Sequence, residues 1–338
     1  MKKYRITRIC WSLAVLFSAC CSFAKAEASG NSSLVVKRMH NTDLYGVDAH
    51  GDSIWAAGVG GLVFYSPDSG KSWQLQDTGI INELFSVNFV DAMNGWAVGR
   101  YGVIVHTSDG GKSWKVQRNE TPETKGNLYE VQFIDENTGW AVGEWSAIAY
   151  TSDGGKTWVD SSLGEDKFLY GMCFVDSENG WVVGEQGIIA CTSDGGKTWV
   201  RQESAEREKS LYAVYFKDQN KGWACGIDGI ILWSEDGGEN WQRVQTVPGE
   251  ENLYDVGCAG DKLWAVGMNG VMIVSDNGLQ WNIAVKEPLT YQWLMKIAQT
   301  DSGRLIIGGA RGTMLISSNG GESWYLTRQM RASASDNQ

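Results

Sequence analysis

The sequence contains little proline and histidine. Among its 338 residues are 4 prolines and 3 histidines, and His40, His50 and His106 lack the spacing of metal ligands. There is no Ser-His-Asp pattern with local support, and no phosphate-binding glycine loop ahead of a helix. The sequence therefore predicts neither a metal nor another cofactor.

Positive charge is also in short supply. The chain has 29 basic and 40 acidic side chains, a formal net charge of −11. Because acidic proteins repel phosphate backbones, general nucleic-acid binding is disfavoured. Charged residues make up 20% of the chain and hydrophobic residues 43%, which disfavours both a disordered chain and a multi-span membrane protein.

The first 26 residues have the pattern of a signal peptide. Basic residues within the first eight precede a mostly apolar stretch at residues 11–17, and Ala24-Lys25-Ala26 forms a small-x-small cleavage site. The apolar stretch is far shorter than the about 20 residues of a membrane span. We expect residues 1–26 to be removed and the protein to be exported to the periplasm or cell envelope. Lipid attachment at Cys20 is the alternative, although Phe17 replaces the usual leucine of such a motif.

Few cysteines remain after the signal peptide. They are Cys173, Cys191, Cys225 and Cys258. Their even number permits disulfides in an exported chain, but their spacing matches neither a zinc motif nor a dense disulfide framework. We interpret them as small buried apolar residues in strands.

Glycine and tryptophan are abundant instead, with 42 and 17 copies, and they belong to three repeated phrases. Residues 128–133 show the first phrase, Leu-Tyr-x-Val-x-Phe. Residues 95–99 show the second, Gly-Trp-Ala-Val-Gly, and residues 151–158 the third, Thr-Ser-Asp-Gly-Gly-Lys-Thr-Trp. The third phrase ends at Trp73, Trp114, Trp158, Trp199, Trp241, Trp281 and Trp324. Such self-similarity at a nearly fixed period indicates a repeat architecture.

Each repeat contains four short strands separated by turn residues. In the second repeat they are residues 84–89, 96–98, 103–107 and 114–117. Four antiparallel strands about every 42 residues are typical of a β-propeller blade. The sequence therefore predicts an all-β fold over residues 41–329, a seven-bladed β-propeller of four-stranded antiparallel blades, with essentially no helix beyond the signal peptide.

The ends of the propeller carry separate expectations. Residues 27–40 form an N-terminal segment in which residues 34–38 resemble a strand. Because an open joint between the first and last blades would invite aggregation, we expect this strand to close the ring by pairing near residues 324–329. Residues 330–338 are polar and predicted to be a frayed tail.

The third phrase has the form Ser/Thr-x-Asp-x-Gly-x-Ser/Thr-Trp, the Asp-box found in sialidases and many other propellers. We expect its aspartate to accept backbone N–H groups within the turn, and its tryptophan to be buried between sheets. Because equivalent carboxylates recur around the ring, a structural role outweighs a catalytic one. The aspartates are Asp68, Asp109, Asp153, Asp194 and Asp236, while the last copy has Asn319 and the sixth is degenerate.

The hairpin that follows each second phrase changes residue type from repeat to repeat at its tip. Repeat geometry places all these tips on one face of the disc, where we expect a protein partner to bind. The candidate contact residues are types enriched at interfaces: Arg100, Tyr101, Trp145, Met268 and Arg311. For Trp145 the alternative is a ring packed on its own blade.

Aromatic residues open six of the repeats. They are Tyr45, Phe85, Tyr129, Tyr170, Tyr212 and Tyr254. We expect them to surround one mouth of the central channel, with packing as their first role.

Taken together, the three phrases resemble those of the photosystem II stability/assembly factor family over residues 41–329. The resemblance implies a non-enzymatic scaffold or chaperone that binds membrane-protein subunits during assembly. Photosynthetic members carry an arginine-rich patch on one face, whereas here only Arg100 and Arg311 stand at comparable tips. Acidic residues occupy the neighbouring tips: Glu144, Glu185 and Asp228. We therefore expect an exported relative that serves another envelope complex.

Two other functions use the same fold. A sialidase-like glycoside hydrolase needs three arginines around a substrate carboxylate and a tyrosine with a glutamate partner. Its Arg-Ile-Pro phrase is absent from this sequence. A glycan-binding propeller would use exposed aromatic side chains such as Trp145 and Tyr101. Arginines converging on one pocket would favour the enzyme, and aromatic side chains on an open face would favour binding.

Overall fold

The structure, a computed structural model, describes residues 32–119, 126–204, 206–244 and 250–327. Its strands form seven four-stranded antiparallel sheets, each built from consecutive strands of one repeat. The predicted seven-bladed β-propeller is confirmed. The expected signal peptide, Cys20 and the expected polar tail at residues 330–338 lie outside the described residues.

The strand bounds repeat closely from blade to blade. Blades 1 to 3 comprise Leu44–His50, Ser53–Gly58, Leu62–Ser66, Gln74–Asp77; Leu84–Phe89, Gly95–Gly99, Ile104–Thr107, Lys115–Arg118; and Leu128–Phe133, Gly139–Gly143, Ala147–Thr151, Val159–Ser162. Blades 4 and 5 comprise Leu169–Phe174, Gly180–Gly184, Ile189–Thr192, Val200–Arg201; and Leu211–Phe216, Gly222–Gly226, Ile231–Ser234, Gln242–Arg243. Blades 6 and 7 comprise Leu253–Ala259, Lys262–Gly267, Met272–Ser275, Asn282–Ile283; and Leu294–Gln299, Leu305–Gly309, Thr313–Ser317, Tyr325–Leu326.

The second strand is buried along its whole length in blades 2 to 5 and 7, and in blades 1 to 5 its tryptophan bonds to the next blade. Trp140 of blade 3 stacks on Phe174 of blade 4, with ring centroids 3.7 Å apart. Its indole Nε1–H donates to the carbonyl of Gly195 in the Asp-box turn of blade 4, at 2.9 Å. The same bond recurs from Trp55, Trp96, Trp181 and Trp223. The tryptophan of the second phrase therefore joins neighbouring blades, a role that the sequence analysis did not assign.

The Asp-box aspartates hold their turns as expected. Each accepts the backbone N–H and the side-chain donor of the residue four positions later, as Asp153 does from Thr157 at 2.9 and 2.7 Å. Hydrogen bonds from Thr157 lower the pKa of Asp153 to about 2. The carboxylates are thereby committed to the turns that they stabilise.

The tryptophans that end the Asp-boxes are less uniformly buried than predicted. Trp73, Trp241 and Trp281 are buried, whereas the rings of the remaining copies are half-buried: Trp114, Trp158, Trp199 and Trp324. These residues lie just before the fourth strand, at the outer rim, where one side of the ring faces solvent.

The ring closes without the predicted strand. Residues 34–38 lie within an α-helix, α1 (Ser32–Met39), so the expected pairing with blade 7 is wrong. Blade 7, the expected partner, already takes its fourth strand, Tyr325–Leu326, from its own repeat. Instead, Met39 is fully buried in the cluster that joins blades 1 and 7, and its carbonyl lies against Gly312.

The four described cysteines are free thiols. Cys225 is buried, and Cys173, Cys191 and Cys258 are half-buried. Burial raises the pKa of the Cys173 thiol to about 11, which keeps it protonated. All four lie in strands, as predicted, but only Cys225 has the expected full burial.

Candidate functional site

The hairpin tips and the starts of the first strands share one end of the propeller, here called the tip face. The tips are single 3₁₀ turns at Val59–Gly61, Arg100–Gly102, Glu144–Ser146, Glu185–Gly187, Ile227–Gly229, Met268–Gly270 and Ala310–Gly312. The Asp-box turns follow the third strands and therefore lie at the opposite end.

The middle residue of each tip has a left-handed backbone. Tyr101 has φ 60° and Trp145 has φ 58°, followed by Ser146 at φ 55° where the other tips have glycine. Non-glycine residues adopt this conformation at a cost, and such positions concentrate at functional sites. The tips therefore hold variable side chains in one repeated backbone geometry.

The structure places all five predicted contact residues on the tip face, but not as one cluster. Arg100 pairs with Glu83 at 3.2 Å, and its guanidinium lies 4.8 Å from the centre of the Tyr101 ring. Trp145 is 48% exposed and lies over Gly126 of its own blade, so part of the ring packs and part is free. Met268 is half-buried and Arg311 exposed, on blades 6 and 7.

Aromatic side chains surround the channel mouth at the centre of the tip face, as the sequence predicted. Their centroids form an unbroken chain from Tyr45 to Tyr254, with neighbours 5.4 to 5.7 Å apart. They enclose a cavity of about 90 Å³, which Met295 completes in blade 7. This cavity is called the aromatic mouth below. Its members are Tyr45, Phe85, Tyr129, Tyr170, Tyr212, Tyr254 and Met295.

A β-bulge in the first strand of every blade directs the side chains of the aromatic mouth toward the channel axis. In blade 3, Leu128 pairs with Gly143 and Glu130 with Val142, which leaves Tyr129 between them without a partner across the strand. The same shift occurs in all seven first strands. Because bulges redirect side chains, the aromatic mouth follows from one backbone feature repeated around the ring.

The phenols of the aromatic mouth are neutral and adjoin acidic groups. Burial raises the pKa of Tyr212 to about 12 and that of Tyr129 further. The Tyr129 hydroxyl donates to Glu144 Oε1 at 2.7 Å, and Glu144 also accepts from the backbone N–H and side-chain amide of Asn127. Glu144, a tip residue, therefore carries its charge at the edge of the mouth.

A charged cluster forms the floor of the aromatic mouth. Lys296 Nζ lies 2.7 Å from Glu130 Oε2 and 3.7 Å from Asp255 Oδ1, joining blades 7, 3 and 6 across the channel. Attraction to both carboxylates raises the pKa of Lys296 despite its burial. Burial raises the pKa of Asp255 to about 6.

The sequence analysis missed this floor. The three residues occupy the third position of the first phrase, which elsewhere holds Gly46, Ser86, Gly171 and Ala213. The available signal was a charged residue at a repeat position that holds a small residue in the other four blades. Because the small residues leave space along the channel axis, the long charged side chains can meet there.

A second cavity of about 530 Å³ continues along the channel below the floor. Here the first strands of blades 1 to 3 are each bound to the next first strand by a side chain that accepts a backbone N–H. Asp48, Asn88 and Gln132 accept from Phe89, Phe133 and Phe174 at 2.6 to 2.8 Å. Among the described residues no arginine lines either cavity, and no group of three or more metal-ligating side chains could hold a metal ion. No helix in the described ranges has the length and apolar character to span a bilayer.

Fold and repeated turns together define a seven-bladed Asp-box β-propeller. The chain belongs to the family of the photosynthesis system II assembly factor YCF48, whose family model matches residues 72–165, 118–199 and 159–289. No curated protein matches the chain significantly.

Solved structures share the fold at low sequence identity. YCF48 bound to D1 peptide superimposes with a TM-score of 0.68 at 20% identity, covering 82% of this chain and 91% of that one. YCF48 from Cyanidioschyzon merolae gives 0.67 at 20% identity, covering 82% and 95%. An ancestral GH74 enzyme gives 0.68 at 14% identity, covering 84% of this chain and 46% of that one.

Proposed function

We propose that this chain is an exported, non-enzymatic assembly or stability factor that holds a segment of a membrane-protein subunit against its tip face. The observation that carries the proposal is the coincidence, on one face, of the aromatic mouth and a half-exposed tryptophan at a hairpin tip. Family membership supports the assembly role, and one structural relative was solved with a peptide. Export to the periplasm or envelope is supported by the pattern of residues 1–26, with lipid attachment at Cys20 as the alternative.

The electrostatics of the tips support a partner outside photosystem II. Arg100 is paired with Glu83, and Lys209 with Asp228, so two basic groups on this face are already neutralised. Glu144 and Glu185 add negative charge at two further tips. A face with this charge favours a different partner segment from the segment that an arginine-rich face binds.

Two features of the structure, one in the Asp-box turns and one in the cavities, support a scaffold over a glycosidase. The Asp-box carboxylates are engaged in their turns, as Asp153 is with Thr157. Arginines that would clamp a substrate carboxylate do not line the mouth or the channel in the part of the chain that the structure describes. Likeness to the GH74 enzyme at 14% identity extends to the fold alone.

The test is partner capture from envelope membranes of the producing cell, with the captured subunits identified by mass spectrometry. The double variant Arg100→Ala with Trp145→Ala should weaken capture about tenfold or more, because arginine and tryptophan are the residues that most often anchor interfaces. Its melting temperature should be nearly unchanged, since neither residue belongs to a repeated phrase.

The matched control is the double variant Lys112→Ala with Lys156→Ala, two exposed residues of the Asp-box turns at the opposite end. It should capture the same subunits at wild-type strength. Equal weakening by both double variants, or a lowered melting temperature without weaker capture, would contradict binding at the tip face. The second result would show that Trp145 serves its own blade.

A further inference from the structure

We propose that the aromatic mouth is a cage for a cation, and that its occupant is an arginine side chain from the bound segment. The inference rests on the proposed function for the source of that side chain. The cage itself is a property of this chain and can be tested without the partner. Geometry, charge and access each point to a cationic group.

The geometry fits one side chain. Neighbouring aromatic centres lie 5.4 to 5.7 Å apart. On a regular ring of seven positions, with Met295 at the seventh, this spacing places each aromatic centre about 6.4 Å from the axis, close to the about 6 Å range of cation–π attraction. A guanidinium displaced slightly from the axis therefore lies within about 6 Å of the centres of two or three rings at once. Guanidinium groups are weakly hydrated and pair readily with aromatic faces.

The charge around the cage is negative. Beneath it, Glu130 and Asp255 face the single ammonium of Lys296, so the floor carries more negative than positive charge. At its edge, Glu144 accepts its hydrogen bonds from neutral donors, Tyr129 and Asn127. Asp43 adds a further carboxylate near Tyr45. Rings with neutral phenols and acidic neighbours attract a cation more strongly than an apolar group of the same shape.

The cage is open on the face where the proposed partner lies. All of its aromatic side chains are partly exposed, and the half-exposed Trp145 stands at the tip whose first residue, Glu144, contacts the cage. A partner segment that crosses the tip face can therefore place one side chain in the aromatic mouth while its backbone contacts the hairpin tips.

The test compares two blocked pentapeptides, acetyl-Gly-Ser-Arg-Ser-Gly-amide and the same peptide with citrulline, which has nearly the shape of arginine without its charge. Binding to the full chain is followed by tyrosine ring NMR shifts at constant ionic strength. The arginine peptide should bind about tenfold more tightly than the citrulline peptide. Tyr170→Leu should remove most of this preference because it keeps an apolar side chain but removes an aromatic face.

Two variants make the result specific. Tyr291→Leu, at a 73% exposed tyrosine on the blade 6–7 connection, should leave both affinities unchanged. Glu144→Gln should weaken the arginine peptide several-fold and the citrulline peptide little. Equal binding of the two peptides, no saturable binding of either, or equal effects of Tyr170→Leu and Tyr291→Leu would each overturn the proposal.

The two proposals fail separately. If peptide selectivity is absent while the Arg100 and Trp145 double variant still loses its partner, the cage is wrong and the scaffold role stands. If the cage discriminates the peptides but no membrane subunit is captured, the cage stands and the proposed function falls.

Discussion

At the scale of single residues, the second-strand tryptophans show how one side chain can serve both packing and hydrogen bonding. Trp140 stacks on a phenylalanine of the next blade and satisfies a glycine carbonyl there. Trp264 of blade 6 occupies the same position, but its Nε1–H is buried without a hydrogen-bond partner among the described residues. The phenylalanine on which it would stack is replaced by Gln299 in blade 7.

This contrast gives a matched pair of substitutions. Trp140→Phe keeps an aromatic ring but leaves the carbonyl of Gly195 without its donor, whereas Trp264→Phe removes an N–H that has no acceptor. We expect Trp140→Phe to lower the free energy of unfolding by about 1 to 3 kcal/mol more than Trp264→Phe. Urea denaturation of both variants measures the difference. Equal losses would show that the bond to Gly195 contributes nothing beyond packing.

The channel carboxylate of Asp48 gives a pH-dependent prediction. Burial raises its pKa to about 6, so the native state keeps the proton up to a higher pH than the unfolded chain, in which the carboxyl has its ordinary pKa of 3.8. Unfolding therefore releases a proton between these values, and Asp48 lowers stability as the pH rises from about 4 to about 6. Blade 2 already uses an asparagine, Asn88, to accept the equivalent N–H.

Asp48→Asn should therefore keep the bond to Phe89 and remove the pH-dependent cost. We expect the variant to match the wild type at pH 4 and to be at least as stable at pH 7, in urea titrations at both values. A variant less stable than wild type at pH 7 would show that the charge is needed, through its attraction to Lys296.

At the scale of elements, α1 shows where sequence reasoning fails. A short apolar run such as residues 34–36 is compatible with a strand or a helix by periodicity alone. The decision depends on the joint between blades 1 and 7, where each sheet already has four strands from its own repeat and an apolar cluster packs against the helix. Lys37 and Arg38 in the last turn also suit the negative end of a helix dipole.

The contribution of α1 to closure can be measured at Met39. Met39→Ala empties a fully buried position in the cluster of blades 1 and 7 and should cost about 2 to 5 kcal/mol of unfolding free energy. Leu34→Ala, in the same helix but 62% exposed, should cost less than about 0.5 kcal/mol. Thermal melting compares the two, and similar shifts would mean that α1 does not support the joint.

At the scale of the whole molecule, the repeats determine what could be predicted from the sequence. Blade number, strand order and the aromatic mouth follow from position within a repeat, so one blade predicts the others. The charged floor depends on which blades face each other across the ring. Lys296 and Glu130 hold the same repeat position four blades and 166 residues apart, and the repeat pattern does not show that their side chains meet across the channel. The contacts made by Trp145 likewise depend on the connection between blades 2 and 3, which contains Gly126.

The continuity of each blade has a consequence for how the protein is made. Since every sheet consists of strands that follow one another in the chain, a growing polypeptide completes one blade before it starts the next, and each new blade finds its neighbour already formed. The joint forms last: the backbone N–H of Arg311 donates to the carboxylate of Asp43, 268 residues earlier in the chain, after the last blade has been synthesised. Because closing so long a loop is entropically costly, the final seam is expected to be the slowest step of maturation and the first place that a protease would find open.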